Sequence, residues 1–339
     1  MSKPKPVVAT DVARAAGVSQ KTVSRVINSD PHVSAEVRDR VLTAIAALGY
    51  RPNRAARNLV LGRSRTIGVL SVGSTDFGPS SLMVAAEHAI RSARYAMSVI
   101  NTFEDEPETI TSAMRDLVDQ GVDGVVVNEP VGSFSLSKGA IGDLPVLSLS
   151  GSYGISTNEV VVDADQSAGA RRATEHLLEL GHRTVHHVAG PAGWRSAGLR
   201  IDGWRAALEA ADRSQPVVHR GDWTARSGYE LGAHLAADPE VTAVFAGNDQ
   251  TAIGLLRAFA EAGRDVPGEV SVVGFDDVPE AAYLSRALTT VRQDLAHLAT
   301  FGVGMLVDAI ENPRRQDRRE NIPVELIVRE TTAAPPPRR

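Results

Sequence analysis

The chain has no cysteine among its 339 residues, so a disulfide framework, a thiolate metal site and a thiol nucleophile are all excluded. It has no apolar run near the roughly 20 residues that cross a bilayer. Its first residues, MSKPKPVVATDVARAAG, hold no apolar stretch of signal-peptide length. These absences lead to the expectation of a cytoplasmic protein with no membrane partner. Also missing are G-x-S-x-G, G-x-x-x-x-G-K-[ST] and a G-x-G-x-x-G that opens a helix. The common sheet-based chemistries lack their motifs, so no catalytic residue and no cofactor are assigned.

What remains is ordinary in bulk, with 43% apolar and 23% charged residues. The length exceeds one typical domain core and reads as two or three units. Charge separates them. Residues 1–65 carry 12 Lys/Arg against 4 Asp/Glu, and residues 66–339 carry 24 against 37, so the net charge of −5 conceals a basic head on an acidic body. A basic head points to a polyanion partner and an acidic body to another task.

The head is helical. A first helix over Asp11–Ala16 is ended by Gly17, and Ser19 caps a second that runs to about Ile27 and stops at Asn28-Ser29-Asp30-Pro31. Ser34 opens a third, with Val37, Val41, Leu42, Ile45 and Leu48 on one face and Gly49 closing the bundle. The spacing of Ala13, Gly17 and Val23 suits a helix-turn-helix: a small residue where helices cross, a glycine at the turn and a valine packed inward. Three such helices leave little room for a catalytic pocket.

From about Thr66 strands alternate with helices. The apolar runs Ile67–Val72, Val99–Ile100, Val122–Val127, Val146–Leu149, Val160–Val162, Val185–Ala189, Ala243–Ala246 and Val270–Phe275 read as buried parallel strands. Amphipathic segments such as Ser81–Ala96, Ser167–Leu180 and Gln250–Ala262 lie between them. This alternation predicts a doubly wound α/β body, with two sheets. The proline-rich end from residue 331 reads as a disordered tail without a heptad pattern.

The phrase DVARAAGVSQKTVSRVIN resembles the DNA-binding head of the lactose/galactose repressor (LacI/GalR) family, and the resemblance continues to about Glu330. It implies that the second helix lies in the major groove of double-stranded DNA, with Gln20, Lys21 and Arg25 at reading positions. Ser19, Thr22, Ser24, Asn28, His32, Ser34 and Tyr50 correspond to backbone contacts. The family commonly places a capping Thr where this chain has Val8, which leaves Thr10 as the cap of a shorter first helix. NRAARNLVLG matches the family's hinge segment, implying minor-groove contacts from Asn53, Arg54, Ala56, Arg57 and the wedge Leu59. The alternative is a surface linker helix in which Leu59 packs on its neighbours.

In the body, GVDGVVVNEP, VFAGNDQTAIGLLRAF and VSVVGFDDVPEAAYLSRALTTVRQD carry the resemblance across both halves. They imply a two-lobed core like that of periplasmic sugar-binding proteins, with an effector between the lobes. The domains expected are a head over 1–50, a hinge over 51–65 and a core over 66–330. The N-lobe takes 66–164 and 293–323, and the C-lobe takes 165–292 and 324–330. The effector residues implied are Phe77, Pro79, Asn128, Ala164, Arg200, Trp223, Asn248, Asp276 and Gln293, a polar and aromatic set suited to a sugar or glycoside. NTFEDEPE offers no arginine to an anionic group, which favours a neutral one; a purine or nucleoside is the other effector class.

Two decoys are set aside. His182, His186 and His187 lie where a helix end runs into a strand, so alternate side chains diverge and no metal site is assigned. Asp276 and Asp277 are adjacent and do not face each other across a sugar as a glycosidase pair would. A soluble carbohydrate-binding receptor without DNA function calls for a secretion signal and no basic head. The expectation is therefore a DNA-binding regulator, and without a C-terminal heptad helix it is a homodimer.

Overall fold

The structure, a computed structural model, describes residues 7–27, 30–50, 63–72, 74–102, 107–128, 141–149, 151, 156–312 and 318–337. The chain divides into two units, Met1–Ser64 and Arg65–Arg339.

In the first unit, helices α1 (Ala9–Ala16), α2 (Gln20–Ile27) and α3 (Ala35–Leu48) enclose Val12, Ala13, Ala16, Val23, Val26, Val41 and Ala44. Gly17 adopts the left-handed conformation, φ 65°, that ends α1, and the Val18 N–H reaches back to the Ala13 carbonyl at 3.0 Å. Ser19 starts α2 by accepting the Thr22 N–H at 3.1 Å, and Ser34 starts α3 by accepting the Val37 N–H at 3.4 Å. Two expectations are corrected. Helix α1 begins at Ala9 rather than Asp11, because Asp11 Oδ2 accepts the N–H of Val8 at 3.1 Å and holds the first turn from inside without a capping hydroxyl. On α3 the buried stripe is Val41 and Ala44 with Ile45 half-buried, whereas Leu42 and Leu48 are exposed. Two short partner helices cover only a narrow face of the third.

The second unit holds two six-stranded sheets. Strands β1 (Thr66–Val72), β2 (Ala96–Thr102), β3 (Gly124–Asn128), β4 (Val146–Ser148), β5 (Glu159–Ala164) and β11 (Arg318–Ile322) form the first, in the order β11-β5-β4-β3-β1-β2, all parallel. Strands β6 (His186–Ala189), β7 (His219–Arg220), β8 (Ala243–Ala246), β9 (Ser271–Asp276), β10 (Thr289–Arg292) and β12 (Glu325–Ile327) form the second, in the order β12-β10-β9-β8-β6-β7. That sheet is parallel except where β10 meets the edge strand β12. The central strands β3, β8 and β9 are buried along their whole length, as continuous apolar runs require when helices cover both faces.

The chain leaves the first sheet after Ala164 and enters helix α6 (Gln166–Glu179) of the second. It returns after Arg292 to build α10 (Leu295–Glu311) and β11, and leaves again between Ile322 and Glu325. Helix α10 buries Leu298, Val303 and Leu306 in the core that also holds Leu147 and Leu149. All three connections therefore run between the same two lobes, which places the carboxyl ends of β3, β5 and β9 around one cleft.

The end of the chain departs from the expected disordered tail. Thr331 is fully buried, its hydroxyl donating to the Val272 carbonyl at 2.7 Å, and the Val272 N–H donates to the Thr331 carbonyl at 2.9 Å. The Ala333 N–H bonds Ser271 Oγ at 3.0 Å. Prolines fix their own φ but leave neighbouring backbone groups free to satisfy the start of a strand, so composition alone misreads this segment.

Helices α8 (Ala225–Ala236) and α9 (Asp249–Glu261) pack backbone against backbone: a Cβ on Gly254 would overlap the Ala225 carbonyl oxygen, and one on Gly228 the carbonyl of Thr251. Gly254→Ala is expected to destabilise the body by about 1–3 kcal/mol in urea unfolding, since neither helix can move without unpacking β8 and β9. An unchanged midpoint would show that the pair slides freely.

Candidate functional site

The interlobe cleft has an empty volume of about 720 Å3, part of it open to solvent. It is lined by all nine side chains named from the sequence: Phe77, Pro79, Asn128, Ala164, Arg200, Trp223, Asn248, Asp276 and Gln293. The first lobe supplies Asn128 from the end of β3, Ala164 from the end of β5, and Phe77 and Pro79 from the first turn of helix α4 (Phe77–Ser92). The second supplies Arg200 from helix α7 (Arg195–Ala210), Asp276 from the end of β9 and Asn248 from the N-cap of α9.

Arg200 is the centre of the floor. It is 5% exposed, and each of its three nitrogens donates to a protein acceptor: Nε to Gln166 Oε1 at 2.9 Å, Nη1 to the Gly247 carbonyl, and Nη2 to Asp276 Oδ1 at 3.4 Å. The ring is closed by Gln293, whose Nε2 donates to Asp276 Oδ1 at 2.7 Å and whose Oε1 accepts from Gln166 Nε2 at 2.7 Å. Two residues at the lobe crossings, Gln166 and Gln293, thus tie the guanidinium to the carboxylate. The guanidinium also lies 3.8 Å from the Phe275 ring centroid and 5.4 Å from that of Trp223. Trp223 meets Trp194 edge-on at 5.5 Å, giving the cleft an aromatic wall.

Burial dominates the electrostatics. It raises the Asp276 carboxyl to about 6, with Arg200 and the Gln293 hydrogen bond pulling the other way. Asp163, also in the cleft, is raised to about 6 by burial, opposed by Arg195. Burial lowers the Arg200 guanidinium, with Asp276 the largest opposing influence.

The loop after β9 is held in an uncommon backbone shape, with φ 112° at Asp276 and 54° at Asp277. Its partners explain how. Asp277 accepts from Arg292 Nε and from Arg329 Nη2, both at 2.6 Å. Asp249, fully buried and raised to about 8 by burial, accepts the Val278 N–H at 2.8 Å and the Thr290 hydroxyl at 2.5 Å. Those contacts fix the direction in which Asp276 points.

Sequence reading missed Asp76, Asp163, Gln166, Trp194 and Ser196, which line the same cleft. Gln166 had a usable signal: it follows Asp165, the N-cap of α6, at the first lobe crossing. His182 and His187 have separate partners. His182 bonds Thr242 and Ser271, while His187 Nδ1 donates to the Phe245 carbonyl at 2.9 Å. Among the described residues no three His, Asp or Glu gather as a metal site, and no helix is long and apolar enough to cross a membrane.

On the head, Ser19, Gln20, Lys21, Ser24, Arg25, His32 and Ser34 are exposed, and Thr22 and Tyr50 are half-buried. The Ser19 and Thr22 hydroxyls pair at 2.9 Å. Arg25 Nε lies 3.6 Å from Asp30 Oδ2, and His32 Nδ1 lies 3.0 Å from Asp30 Oδ1. Hydrogen bonds from the His32 backbone and side chain hold the Asp30 carboxyl below its ordinary value. Asn28, Asn53, Arg54, Ala56, Arg57 and Leu59 lie outside the described residues.

Residues 9–53 match the bacterial regulatory proteins of the lacI family, and residues 174–332 match the periplasmic binding protein-like domain. The Escherichia coli lactose operon repressor is 35% identical over 337 residues, covering 98% of this chain and 92% of its own. The chain belongs to the lacI family. Another lacI-family relative, the E. coli ribose operon repressor, is 30% identical over 327 residues, covering 94% of this chain and 98% of its own. A lac repressor dimer bound to operator and the anti-inducer ONPF superposes with a TM-score of 0.85 at 33% identity, over 97% of this chain and 100% of that one. The protein is thus a DNA-binding transcriptional repressor of the lacI type with a ligand-binding core, and its relatives are repressors rather than enzymes.

Proposed function

We propose that the protein is a homodimeric repressor of a pseudo-palindromic operator, controlled by a sugar or glycoside held between the lobes. The carrying observation is the cleft: directed polar groups on Asn128, Asn248, Asp276 and Gln293 lie beside an indole wall of Trp194 and Trp223. Such groups fix hydroxyl directions while an indole covers the apolar face of a sugar ring. Relatives named for lactose and ribose operons, and the similarity to an operator-bound dimer, support the same reading.

In this reading Gln20, Lys21 and Arg25 meet base edges, Ser19, Thr22, Ser24, Asn28, His32, Ser34 and Tyr50 meet the DNA backbone, and Asn53, Arg54, Ala56, Arg57 and Leu59 enter the minor groove. Effector binding need supply only about 1–3 kcal/mol of coupling to change operator affinity about 5- to 150-fold. The test is a thermal-shift screen of sugars, glycosides and purines, with every hit carried into an operator-binding assay. At least one sugar or glycoside is expected to raise the melting temperature and alter operator affinity. Stabilisation by purines alone would move the effector to that class.

A further inference from the structure

The cleft's polar groups are not evenly available. Its donors are largely spent on the protein: Arg200 sends three of its five N–H groups to Gln166, Gly247 and Asp276. The Asn128 amide donates to the Pro79 carbonyl at 2.9 Å, and that of Asn248 to the Trp223 carbonyl and to Gln250. Gln166 donates to Gln293, and Gln293 donates to Asp276. Acceptors, by contrast, are plentiful: Asp76, Asp163 and Asp276 all line the space. Trp223, 4% exposed, adds one indole Nε1–H that has no hydrogen-bond partner among the described residues.

We propose that Asp163, at the end of β5, contacts the effector and accepts hydrogen bonds from it, and that the cleft selects ligands rich in hydroxyl or ammonium donors while rejecting phosphate esters. The proposal rests on the ligand-controlled reading of the cleft but not on the ligand's being a sugar. A phosphate offers acceptor oxygens and negative charge. In this cleft it would find three carboxylates and a guanidinium already engaged, against the neutral donors of the Ser196 hydroxyl and the Trp194 and Trp223 indoles. A hydroxyl or an ammonium offers Asp163 a donor, which Asp276 already receives from Arg200 and Gln293. A site built to pair with donors discriminates strongly, because a ligand without them leaves its buried acceptors desolvated and unpaired.

Asp163 fits this assignment by its surroundings. Among the described residues the charged groups that weigh most on it are Arg195, Arg200 and Asp165, and it accepts a hydrogen bond from the Ala164 backbone. Arg195 is exposed to solvent, which screens its charge, and Arg200 is engaged elsewhere. Burial therefore raises Asp163 to about 6, above its ordinary 3.8. The folded state holds its proton more tightly than the unfolded one, so this carboxylate weakens the fold above pH 6 and costs nothing below pH 4. Such a group kept in a cleft serves a ligand rather than the fold.

The experiment uses the full chain and matched probes at pH 7.5: glucose, glucosamine and glucose 6-phosphate, the galactose equivalents, ribose with ribose 5-phosphate, and adenosine with its 5′-monophosphate. Calorimetry and thermal shift measure each with the parent and with Asp163→Asn. In any series that binds, the phosphate ester is expected to be at least about a hundredfold weaker than its parent compound. Asp163→Asn is expected to weaken the unphosphorylated probe about tenfold and the amine more than the hydroxyl compound. Without ligand, Asp163→Asn is expected to melt higher than the parent at pH 8, with the difference closing by pH 4. A phosphate ester that binds as tightly as its parent compound overturns the proposal, as does a panel without any binder at millimolar concentration. A variant that melts no higher at pH 8 makes Asp163 structural and also overturns it. Binding by adenosine but not its monophosphate would remove the carbohydrate reading and leave this one standing.

Discussion

Arg200→Met is expected to abolish the effector response and to cost about 3–5 kcal/mol of stability, the range for removing one partner of a buried charged pair. The reason is the closed ring around it. Arg200 and Asp276 are 5% and 6% exposed, and without the guanidinium the Asp276 carboxylate keeps, among the described residues, only Gln293 as a side-chain donor. Gln166 loses the donor to its Oε1, and the Gly247 carbonyl loses its partner. The pH dependence separates this account from simple loss of packing. Asp276 already holds its proton up to about 6 in the folded chain against an ordinary 3.8, so its burial is unfavourable above pH 6 and is relieved as it protonates below. Removing Arg200 takes away the cation that opposes this and pushes the carboxyl higher. The deficit of Arg200→Met, read by urea unfolding, is therefore expected to be larger at pH 8 than at pH 5. A deficit of equal size at both pH values would mean that the methionine merely packs badly.

The same ring shows what sequence can and cannot reveal. Arg200, Asp276 and Gln293 stand in motifs long enough to be matched one by one to a family, and all three line the cleft. Gln166 sits in an equally matched stretch, yet its side chain matters only because the lobe crossing brings it within 2.7 Å of Gln293, 127 residues away. Asp163 reads as one polar residue in the apolar run of β5, and only the second lobe turns its face into a cleft. Strands show the same division. Buried central strands such as β3 and β9 announce themselves as apolar runs, whereas β11, with the sequence RRENI, and β12, with three residues, are edges that exist because a neighbour offers its ladder. Helix α10 is poorly marked in the sequence because LATFGVGMLVDAI is apolar on nearly every side and lacks the alternation that marks a half-exposed helix.

Ala13→Leu is expected to abolish operator binding while leaving the melting and ligand response of the body unchanged. Ala13 is 7% exposed in a head whose core is only seven residues, four of them valine and three alanine. Its carbonyl accepts the Val18 N–H across the turn, so helix α1 cannot retreat to admit a larger side chain without breaking the turn that aims α2. Overpacking costs about 1–3 kcal/mol, which is a large share of the margin of so small a core. The body, with its own cores in two sheets, does not share that loss. Arg25→Met is the informative contrast. Arg25 is exposed and its nearest acid, Asp30, lies 3.6 Å away at the surface, so the head keeps its fold and operator affinity is expected to fall by about 1–3 kcal/mol with relaxed base preference. Helicity of the head by circular dichroism, read beside operator binding, separates the two outcomes: loss of both for Ala13→Leu, loss of binding alone for Arg25→Met. Full operator affinity in Ala13→Leu would show that the crossing tolerates bulk and that the small residue at this position is not what sets the angle between α1 and α2.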